Sequence, residues 1–411
     1  MTSTPALIAT IERHFGANPP DPIGVAVSGG SDSLALLHLL VDWGRTKIAA
    51  VTVDHRLRPE AADEAAFVAE RCSAIGVPHS IVSWDGWDGK GNLQAEARRT
   101  RYSLLADWAR AAGVGAVALG HTMDYQAETF LMRLSRRAGV DGLARMQDVF
   151  ERHRQRFDRP LLGISRATLQ AYLQARDISW VSDPSNEDDR FERVRAREAL
   201  AYLAPLGIDA AALFDVSVNL EDASRALAHA ACGFAERKVS AVAGDLVIDR
   251  TALRQLPHET RRRLLTAALC WVGSAEYPPR RDALETIDAA VGAGDSTTLH
   301  GCRILTSAMT VRITREHAAV SALALPTTAL WDGRWQLEGP HRDGLEARAL
   351  GEALNACGNW RDTGLPRATL LASPGVWDGE TLVAAPVAGH NEGWVAKTGG
   401  MAEFAAFLIS H

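Results

Sequence analysis

Ser28-Gly29-Gly30-Ser31-Asp32-Ser33 is the stretch that decides the fold of the first half of this chain. Residues 23–27 before it are apolar and predict a buried strand, and residues 34–40 after it predict a helix. A Gly-Gly turn between a strand and a helix can bind phosphate, because glycine lets the backbone approach closely and a helix N-terminus attracts anions. An ordinary capped turn does not need three serines, two glycines and an acid in succession, so we favour a phosphate-binding loop.

Asp32 is the unusual member of this serine-glycine loop (residues 28–33). Its carboxylate would repel a phosphate unless a divalent cation lay between them. No Gly-Lys-Ser/Thr follows and no G-x-G-x-x-G spacing is present, so the loop is neither a Walker A motif nor a dinucleotide fingerprint. The stretch resembles the SGGxDS loop of the N-type ATP pyrophosphatases, the PP-loop superfamily, which cleaves ATP to AMP and pyrophosphate.

Composition limits what else the chain can be. Its 411 residues, 47% apolar and 23% charged, predict two or three globular domains. No apolar run approaches membrane-spanning length and no signal pattern opens the chain, so we expect a cytoplasmic protein without a membrane partner. The net charge of −6 means that a nucleic acid would have to meet a local basic patch. The five cysteines form no CxxC pair, which argues against a zinc ribbon, an iron–sulfur cluster or a disulfide framework.

Strands and helices alternate along the first half of the chain. We predict strands at residues 48–53, 79–84 and 116–119, and helices at residues 61–75, 93–112 and 124–137. This alternation predicts a doubly wound α/β fold with a parallel sheet, in which ligands lie beyond the carboxyl ends of the strands. The serine-glycine loop, Asp54-His55 and residues 121–128 all fall at such ends, so we expect one active site there.

Two arginine-rich segments follow. Residues 139–166 are basic and on their own predict a solvated loop, with a helix beginning after Ser165. The second segment has four arginines that suit phosphate contact, since guanidinium forms forked hydrogen bonds to phosphate oxygens. These are Arg190, Arg193, Arg195 and Arg197.

A composition shift near Pro205 predicts a domain boundary. We divide the chain into a catalytic domain (1–204), a helical domain (205–295) and a small mixed or strand-rich C-terminal region (296–411). Helices are predicted at residues 210–238, 257–271 and 279–291, and short strands at 297–300, 302–306 and 310–315. Two Trp-Asp-Gly turns, beginning at Trp331 and Trp377, suggest hairpins.

Five further stretches resemble the tRNA(Ile)-lysidine synthase family. They are VDHRLRPE (53–60), GNLQAEAR (91–98, followed by Arg101-Tyr102), GHTMDYQAET (120–129), RPLL (159–162) and DPSN (183–186). Their occurrence together and in order is specific, and they cover about the first half of the chain. The region after Pro205 resembles the RNA-binding extensions of that family only loosely.

The resemblance implies a ligase that uses ATP and Mg²⁺. Such an enzyme adenylates O2 of the cytidine at the first anticodon position of an isoleucine tRNA with a CAU anticodon. Free L-lysine then attacks the adjacent carbon and expels AMP, leaving lysidine, which pairs with A instead of G. A homodimer is one assembly that the sequence allows, and the sequence does not fix the oligomeric state.

The resemblance also implies roles for individual residues. Asp32 would hold Mg²⁺, and Arg98 would stabilise charge at the α-phosphate. Asp124 and Glu128, which share a helix face, would hold the ammonium groups of lysine or accept a proton from the attacking amine. The nucleotide would be bound by Ser28, Gly29, Gly30, Ser31, Asp32, Ser33, Asp54, His55 and His121. The tRNA would be bound by Arg190, Arg193, Arg195 and Arg197.

The chain departs from the family pattern at two positions and leaves alternatives open. Tyr125 stands where the family usually has a second acid, and Val194 stands where it usually has Asn. One alternative is another PP-loop tRNA-modifying enzyme such as a thiolase, although thiolases commonly need cysteines near the site. Others are an amidotransferase-type or NAD-synthetase-type enzyme, and an RNA-binding protein with an inactive nucleotide fold.

Overall fold

The computed structural model describes residues 3–56, 61–84, 93–181, 192–275 and 277–410, without the side chains of residues 93–95 and 98. The chain divides into two compact units, Met1–Asp222 and Ala223–His411. The three-part division made from the sequence stays a prediction.

The first unit alternates helices and strands as expected. Its helices are α1 (Thr4–Phe15), α2 (Ser31–Trp43), α3 (Ala61–Ala74), α4 (Leu93–Ala111), α5 (Met123–Ser135), α6 (Val140–Leu143), α7 (Arg166–Gln174) and α8 (Glu192–Leu203). Its strands are β1 (Ile23–Ala26), β2 (Ile48–Asp54), β3 (His79–Ser83), β4 (Ala116–Leu119), β5 (Val149–Arg152) and β6 (Gln155–Asp158). A 3-10 turn (Ala204–Leu206) and the long helix α9 (Ala210–Lys238) follow.

These strands form one sheet in the order β3-β2-β1-β4-β6-β5. All neighbours in it are parallel except β5, which runs antiparallel to β6. The predicted doubly wound parallel α/β fold is confirmed. The β5–β6 hairpin lies in the basic segment that we expected to be a solvated loop, so that expectation was wrong.

The sheet is covered on both faces, which explains why β1 is apolar throughout. On one face, α2 packs Leu34, Leu37 and other fully buried leucines against α1 and β1. On the other face, α4 packs Trp108 against the sheet. A Cβ on Gly24 would lie 2.7 Å from a ring carbon of Trp108, so only glycine lets this indole approach β1.

The second unit mixes short helices with antiparallel strands. Its helices, besides the end of α9, are α10 (Arg250–Gln255), α11 (His258–Gly273), α12 (Arg281–Ala293), α13 (His317–Val320), α14 (Arg367–Leu371) and α15 (Met401–Ser410). Short 3-10 helices lie at Gly351–Ala356, Trp360–Thr363 and Pro386–Ala388. Its strands are β7 (Val239–Val242), β8 (Asp245–Asp249), β9 (Thr297–Leu299), β10 (Cys302–Thr306), β11 (Thr310–Arg315), β12 (Ala324–Pro326), β13 (Gln336–Glu338), β14 (Leu345–Ala349), β15 (Pro374–Asp378), β16 (Thr381–Ala384) and β17 (Val395–Lys397).

These strands form sheets in the orders β7-β8-β11-β10-β9 and β12-β14-β15-β16, and a pair β13-β17. Strands β7 and β8 lie inside the region that the sequence predicted as helical, and they extend the sheet of β9–β11. The Trp377 turn joins β15 to β16 as a hairpin, as predicted. The Trp331 turn closes only a single bridge, from Trp331 to Trp335. Among the described helices, none is by itself long and apolar enough to cross a membrane; α8 with its following turn passes such a test only when joined to α9.

Candidate active site

The serine-glycine loop is held in shape by its own polar atoms. The Ser28 N–H donates to Ser33 Oγ at 3.1 Å, and the Ser33 hydroxyl donates to the Gly30 carbonyl at 3.1 Å. Gly29 has a φ of 85°, a left-handed conformation that favours glycine. Gly30 is the N-cap of α2 and offers no side chain to the first N–H groups of the helix. These N–H groups are therefore placed to bind an anion.

Two adjoining cavities share this loop. The larger, of about 530 Å³, is lined by Asp32, His121 and Arg166 together with loop residues. The smaller, of about 330 Å³, lies against the end of β2, where valines and alanines line it together with Asp54 and Glu64. His55 and Arg101 line both cavities. A cavity that begins at a phosphate-binding loop and continues along strand valines suits a ligand with a phosphate end and a ring end.

Asp32 lies at the junction of the loop with the rest of the site. Its Oδ1 accepts the Ser31 hydroxyl at 3.1 Å, and its Oδ2 accepts Arg166 Nε at 3.1 Å and Thr122 Oγ1 at 3.4 Å. Mg²⁺ commonly takes one or two carboxylates and completes its shell with substrate phosphates and water. One carboxylate beside a phosphate-binding loop fits that pattern. The described residues contain no cluster of three or more His, Cys, Asp and Glu side chains able to hold a metal without a substrate.

Helix α5 brings two further acids to the same place. Its N-cap is Thr122, whose hydroxyl accepts the Tyr125 N–H at 3.3 Å. Asp124 Oδ2 accepts the backbone N–H of Arg166 at 2.7 Å, at the start of α7. Glu128, one turn later, accepts Arg166 Nη1 at 3.4 Å. Arg166 therefore joins Asp32 of the loop to both predicted acids of α5.

Glu128 is almost completely buried and is held by three guanidinium groups. Besides Arg166, Arg193 Nη1 donates to its Oε2 at 3.1 Å and Arg197 Nε donates to its Oε1 at 3.0 Å. Glu128 is only 1% exposed, so these ion pairs are largely shielded from solvent. Two of the arginines predicted to bind tRNA thus point at the buried acid in this structure.

Tyr125 is engaged through its ring. The ring stacks on His121 with the centroids 4.1 Å apart and the planes 17° apart, and the guanidinium carbon of Arg193 lies 3.8 Å from the Tyr125 centroid. His121 Nδ1 in turn accepts Arg159 Nε at 3.1 Å. At this position the chain therefore holds an arginine by a cation–π contact rather than by a second carboxylate.

His55 presents a neutral imidazole to both cavities. Burial lowers the pKa of His55, and the nearby charge of Arg101 lowers it further against the opposing effect of Asp54. Among the described atoms, its buried Nδ1 has no hydrogen-bond partner.

Comparison with known proteins identifies the family to which this chain belongs. Residues 4–203 match a PP-loop domain. The chain is 48% identical to a tRNA(Ile)-lysidine synthase from Ruegeria pomeroyi over 98% of each protein. The chain belongs to the tRNA(Ile)-lysidine synthase family. Two further synthases of this name, from Wolbachia pipientis and Rhodopseudomonas palustris, are 34% and 40% identical and cover 76% and 71% of this chain. The chain covers 76% and 86% of those two proteins.

This membership confirms the family resemblance that the sequence motifs indicated. It also confirms the predicted class of protein, an ATP-using ligase with a PP-loop domain. The roles of single residues stay predictions. The structure brings Asp32, Asp124 and Glu128 to Arg166, and it places His55 and His121 at the larger cavity and Asp54 at the smaller one. Arg190, the side chain of Arg98 and the DPSN motif lie outside the described residues.

Two site residues of this lysidine synthase family member were given no role by the sequence analysis, although Arg159 opens the RPLL stretch (159–162) quoted there. Arg159 is buried and supports His121, and Arg166 contacts all three predicted acids. Both lie in the segment that we expected to be solvated. Arg159 would have been placed at the site if strand β6 had been predicted, because Arg159 follows the carboxyl end of this strand, which is parallel to β4. A residue at that edge of the sheet belongs with the ligand site.

Proposed function

We propose that this chain joins L-lysine to C2 of the cytidine at the first anticodon position of an isoleucine tRNA with a CAU anticodon, cleaving ATP to AMP and pyrophosphate. The observation that carries the proposal is the bridge made by Arg166 between Asp32 and Glu128. Arg166 joins a phosphate-binding loop at the larger cavity to the two acids of α5, and a reaction that uses both a nucleotide and a cationic amine needs both features. The names of the family relatives support the choice of tRNA(Ile) as substrate.

The first step is the transfer of AMP to the cytidine. O2 of the base attacks the α-phosphorus, the new O–P bond forms, and the bond to the β-phosphate oxygen breaks as pyrophosphate leaves. Such a step depends mainly on in-line positioning and on charge stabilisation. The first N–H groups of α2 would bind the phosphates, and the smaller cavity, with valines beside polar side chains at the end of β2, would take the nucleoside. Mg²⁺ held by Asp32 would neutralise charge on the phosphates.

The second step is the attack of lysine. An amino nitrogen bonds to C2, the C2–O bond breaks with AMP as the leaving group, and the nitrogen loses a proton. Glu128 already accepts hydrogen bonds from three guanidinium groups, whereas Asp124 accepts the backbone N–H of Arg166. Asp124 is therefore the better suited of the two to meet an ammonium group or to take the proton. Glu128 serves in this proposal chiefly to hold the arginines in place.

The tRNA is expected to contact the arginine-rich part of α8. Arg195 is exposed there, whereas Arg193 and Arg197 are half-buried against Glu128. We therefore assign the strongest backbone contact among the described arginines to Arg195, and keep Arg190, Arg193 and Arg197 as further candidates. A homodimer also stays a prediction.

The test measures pyrophosphate and AMP release by the purified chain. With ATP, Mg²⁺ and a tRNA(Ile) transcript bearing a CAU anticodon, pyrophosphate should appear without lysine, and AMP release should require lysine. Asp32→Ala should abolish pyrophosphate release and leave tRNA binding nearly intact. Asp42→Ala is the matched control, because Asp42 lies on the same helix and pairs with Arg176. ATP cleavage that ignores the tRNA, or an active Asp32→Ala enzyme with an unchanged melting curve, would contradict the proposal.

The thiolase alternative gains nothing from the positions of the cysteines. All five are within the described residues and are buried. Burial raises the pKa of Cys72 to about 11, and Cys72 belongs to the core between α3 and the sheet. No cysteine lines either cavity at the serine-glycine loop. Sulfur transfer through a thiolate at this site would need a cysteine there.

A further inference from the structure

Arg166 contacts carboxylates from two different helices. Its Nε donates to Asp32 Oδ2 at 3.1 Å, its Nη1 donates to Glu128 Oε1 at 3.4 Å, and its backbone N–H donates to Asp124 Oδ2 at 2.7 Å. The side chain is 24% exposed and lines the larger cavity. A guanidinium in this position is a positive charge that the fold supplies beside its own phosphate-binding loop.

The backbone of Arg166 is fixed by the helix that it opens. Ser165 is the N-cap of α7, and its side chain accepts the Thr168 N–H at 3.3 Å. The same helix buries Leu169 and Leu173 in the core that contains α2. The start of α7 cannot move away without disturbing that core, so a change of partner by Arg166 falls to its long side chain.

We propose that Arg166 is the internal counter-cation of Asp32, and that Mg²⁺ arriving with ATP takes its place on this carboxylate. The inference rests on the proposed assignment of Asp32 to Mg²⁺. Both cations need the same side chain, and Arg166 Nε already occupies Oδ2. A guanidinium and a divalent ion repel each other at one carboxylate, so they compete for it. On leaving Asp32, Arg166 keeps its bond to Glu128 and remains at the larger cavity, where its other N–H groups can meet phosphate oxygens.

This exchange affects whether the site binds bare Mg²⁺ or Mg²⁺ carried on ATP. Free Mg²⁺ must displace Arg166 without help, whereas Mg²⁺ carried on ATP brings phosphates that receive the displaced guanidinium. The site therefore binds the metal–nucleotide complex in preference to the bare ion. Without Arg166, Asp32 would bind a bare divalent ion more tightly.

The test uses Mn²⁺ as the probe, with free Mn²⁺ measured by electron paramagnetic resonance on the full chain in the absence of nucleotide. Arg166→Gln should lower the Kd for Mn²⁺ about tenfold relative to wild type, as expected for removal of a competing ion pair that is partly shielded from solvent. Asp32→Asn in the Arg166→Gln background should remove the gain. Arg176→Gln is the control, because Arg176 pairs with Asp42 away from the cavity.

An unchanged Mn²⁺ affinity in Arg166→Gln, or a gain that persists with Asp32→Asn, overturns the proposal. If Arg166→Gln does not fold, Arg166→Lys decides the matter. A lysine ammonium lacks the forked geometry that joins Asp32 to Glu128, so Arg166→Lys should bind Mn²⁺ more tightly than wild type, by less than the tenfold expected for Arg166→Gln. A Kd for Mn²⁺ equal to that of wild type would overturn the proposal. Because Mn²⁺ binding needs neither tRNA nor lysine, a gain without lysine-dependent AMP release would show that only the proposed reaction is wrong.

Discussion

Gly120 at the end of β4 packs directly on the backbone of Asp32 at the start of α2: a Cβ on Gly120 would lie 2.9 Å from both the carbonyl carbon and the carbonyl oxygen of Asp32. Backbone cannot give way as a flexible side chain can. The serine-glycine loop is therefore held against the neighbouring strand end by the absence of a side chain at residue 120.

Gly120→Ala should displace the loop and weaken ATP binding. We expect a loss of about 1–3 kcal/mol in the free energy of unfolding, typical of overpacking, together with a rise in the Kd for ATP. Urea denaturation and calorimetric titration with ATP measure the two effects. Gly139→Ala is the matched control, because a Cβ there meets no atom within 4 Å. Equal ATP affinity in both variants would show that the close approach does not position the loop.

Glu128 should contribute to folding stability as well as to lysine binding. Glu128→Ala leaves three guanidinium groups without their buried partner and should cost about 3–5 kcal/mol of folding free energy. Glu128→Gln keeps one acceptor oxygen and should cost less. In the folded Gln variant, the KM for lysine should rise more than the KM for ATP. A Gln variant with wild-type stability and wild-type lysine KM would remove Glu128 from both roles.

The contrast between Asp32 and Arg166 shows what the sequence could reveal about this site. Asp32 was found because its neighbours in sequence carry the signal: an apolar run, two glycines and three serines. Arg166 was not found because its meaning comes from contacts with Asp32 and Glu128, 134 and 38 residues away in sequence. Such contacts are set by the order of strands in the sheet and by the packing of α7 on α2, which local patterns do not specify.

The fold shows the same division between local and long-range information. The bounds of β1, β2 and β4 could be predicted because buried parallel strands are apolar throughout. Strands β5 and β6 could not, since Phe150 and Phe157 alternate with arginines and acids in a hairpin that the basic composition concealed. The pairing of β13 with β17 joins three-residue segments, too short for any periodic pattern.

Arg195 offers a test of tRNA binding. It is exposed on α8, so Arg195→Glu should weaken tRNA binding, and the melting curve of the variant checks its folding. The slope of log Kd against log salt should fall by roughly one unit for each phosphate group that the variant no longer neutralises, and ATP affinity should not change. Arg110→Glu, also exposed and in the first unit, controls for net charge. If both variants change the slope equally, Arg195 does not bind the tRNA backbone specifically.

The buried contacts of Asp158 lead us to expect that the folded chain loses stability at low pH. Asp158 is fully buried and hydrogen-bonded to His14 at 2.7 Å and to Arg156 at 2.8 Å. Burial raises the pKa of Asp158, but the bonds from His14 and Arg156 outweigh it and hold the pKa below its ordinary value of 3.8. Because the folded pKa is the lower one, the carboxylate stabilises the fold above pH 3.8, and this contribution is lost as the pH falls through the folded pKa.

Urea denaturation at a series of pH values measures this effect. Asp158→Asn should have a lower free energy of unfolding than wild type near neutral pH, and a weaker dependence on pH in the acid range. The exposed Asp177→Asn should follow the wild-type curve. Parallel curves for wild type and Asp158→Asn would mean that this buried cluster does not control acid stability.

Substitutions of Tyr125 test whether the chain is active with a tyrosine where its family usually has a second acid. The Tyr125 ring contacts His121 and Arg193, so it positions Arg193 on Glu128 through its π face. Asp124 and Glu128 remain on α5, and we expect them to be sufficient for lysine-dependent AMP release. Tyr125→Phe keeps the ring and should therefore keep the contacts with His121 and Arg193. Tyr125→Ala removes the platform and should raise the KM for lysine.

Tyr125→Asp is the informative exchange, because a carboxylate can hold Arg193 by an ion pair in place of the cation–π contact. It should therefore be neutral or mildly beneficial in the same assay, with the melting curve as the check on folding. An inert wild type whose turnover is restored by Tyr125→Asp would show that the ring has replaced a carboxylate the reaction needs, and that this chain is not a working lysidine synthase.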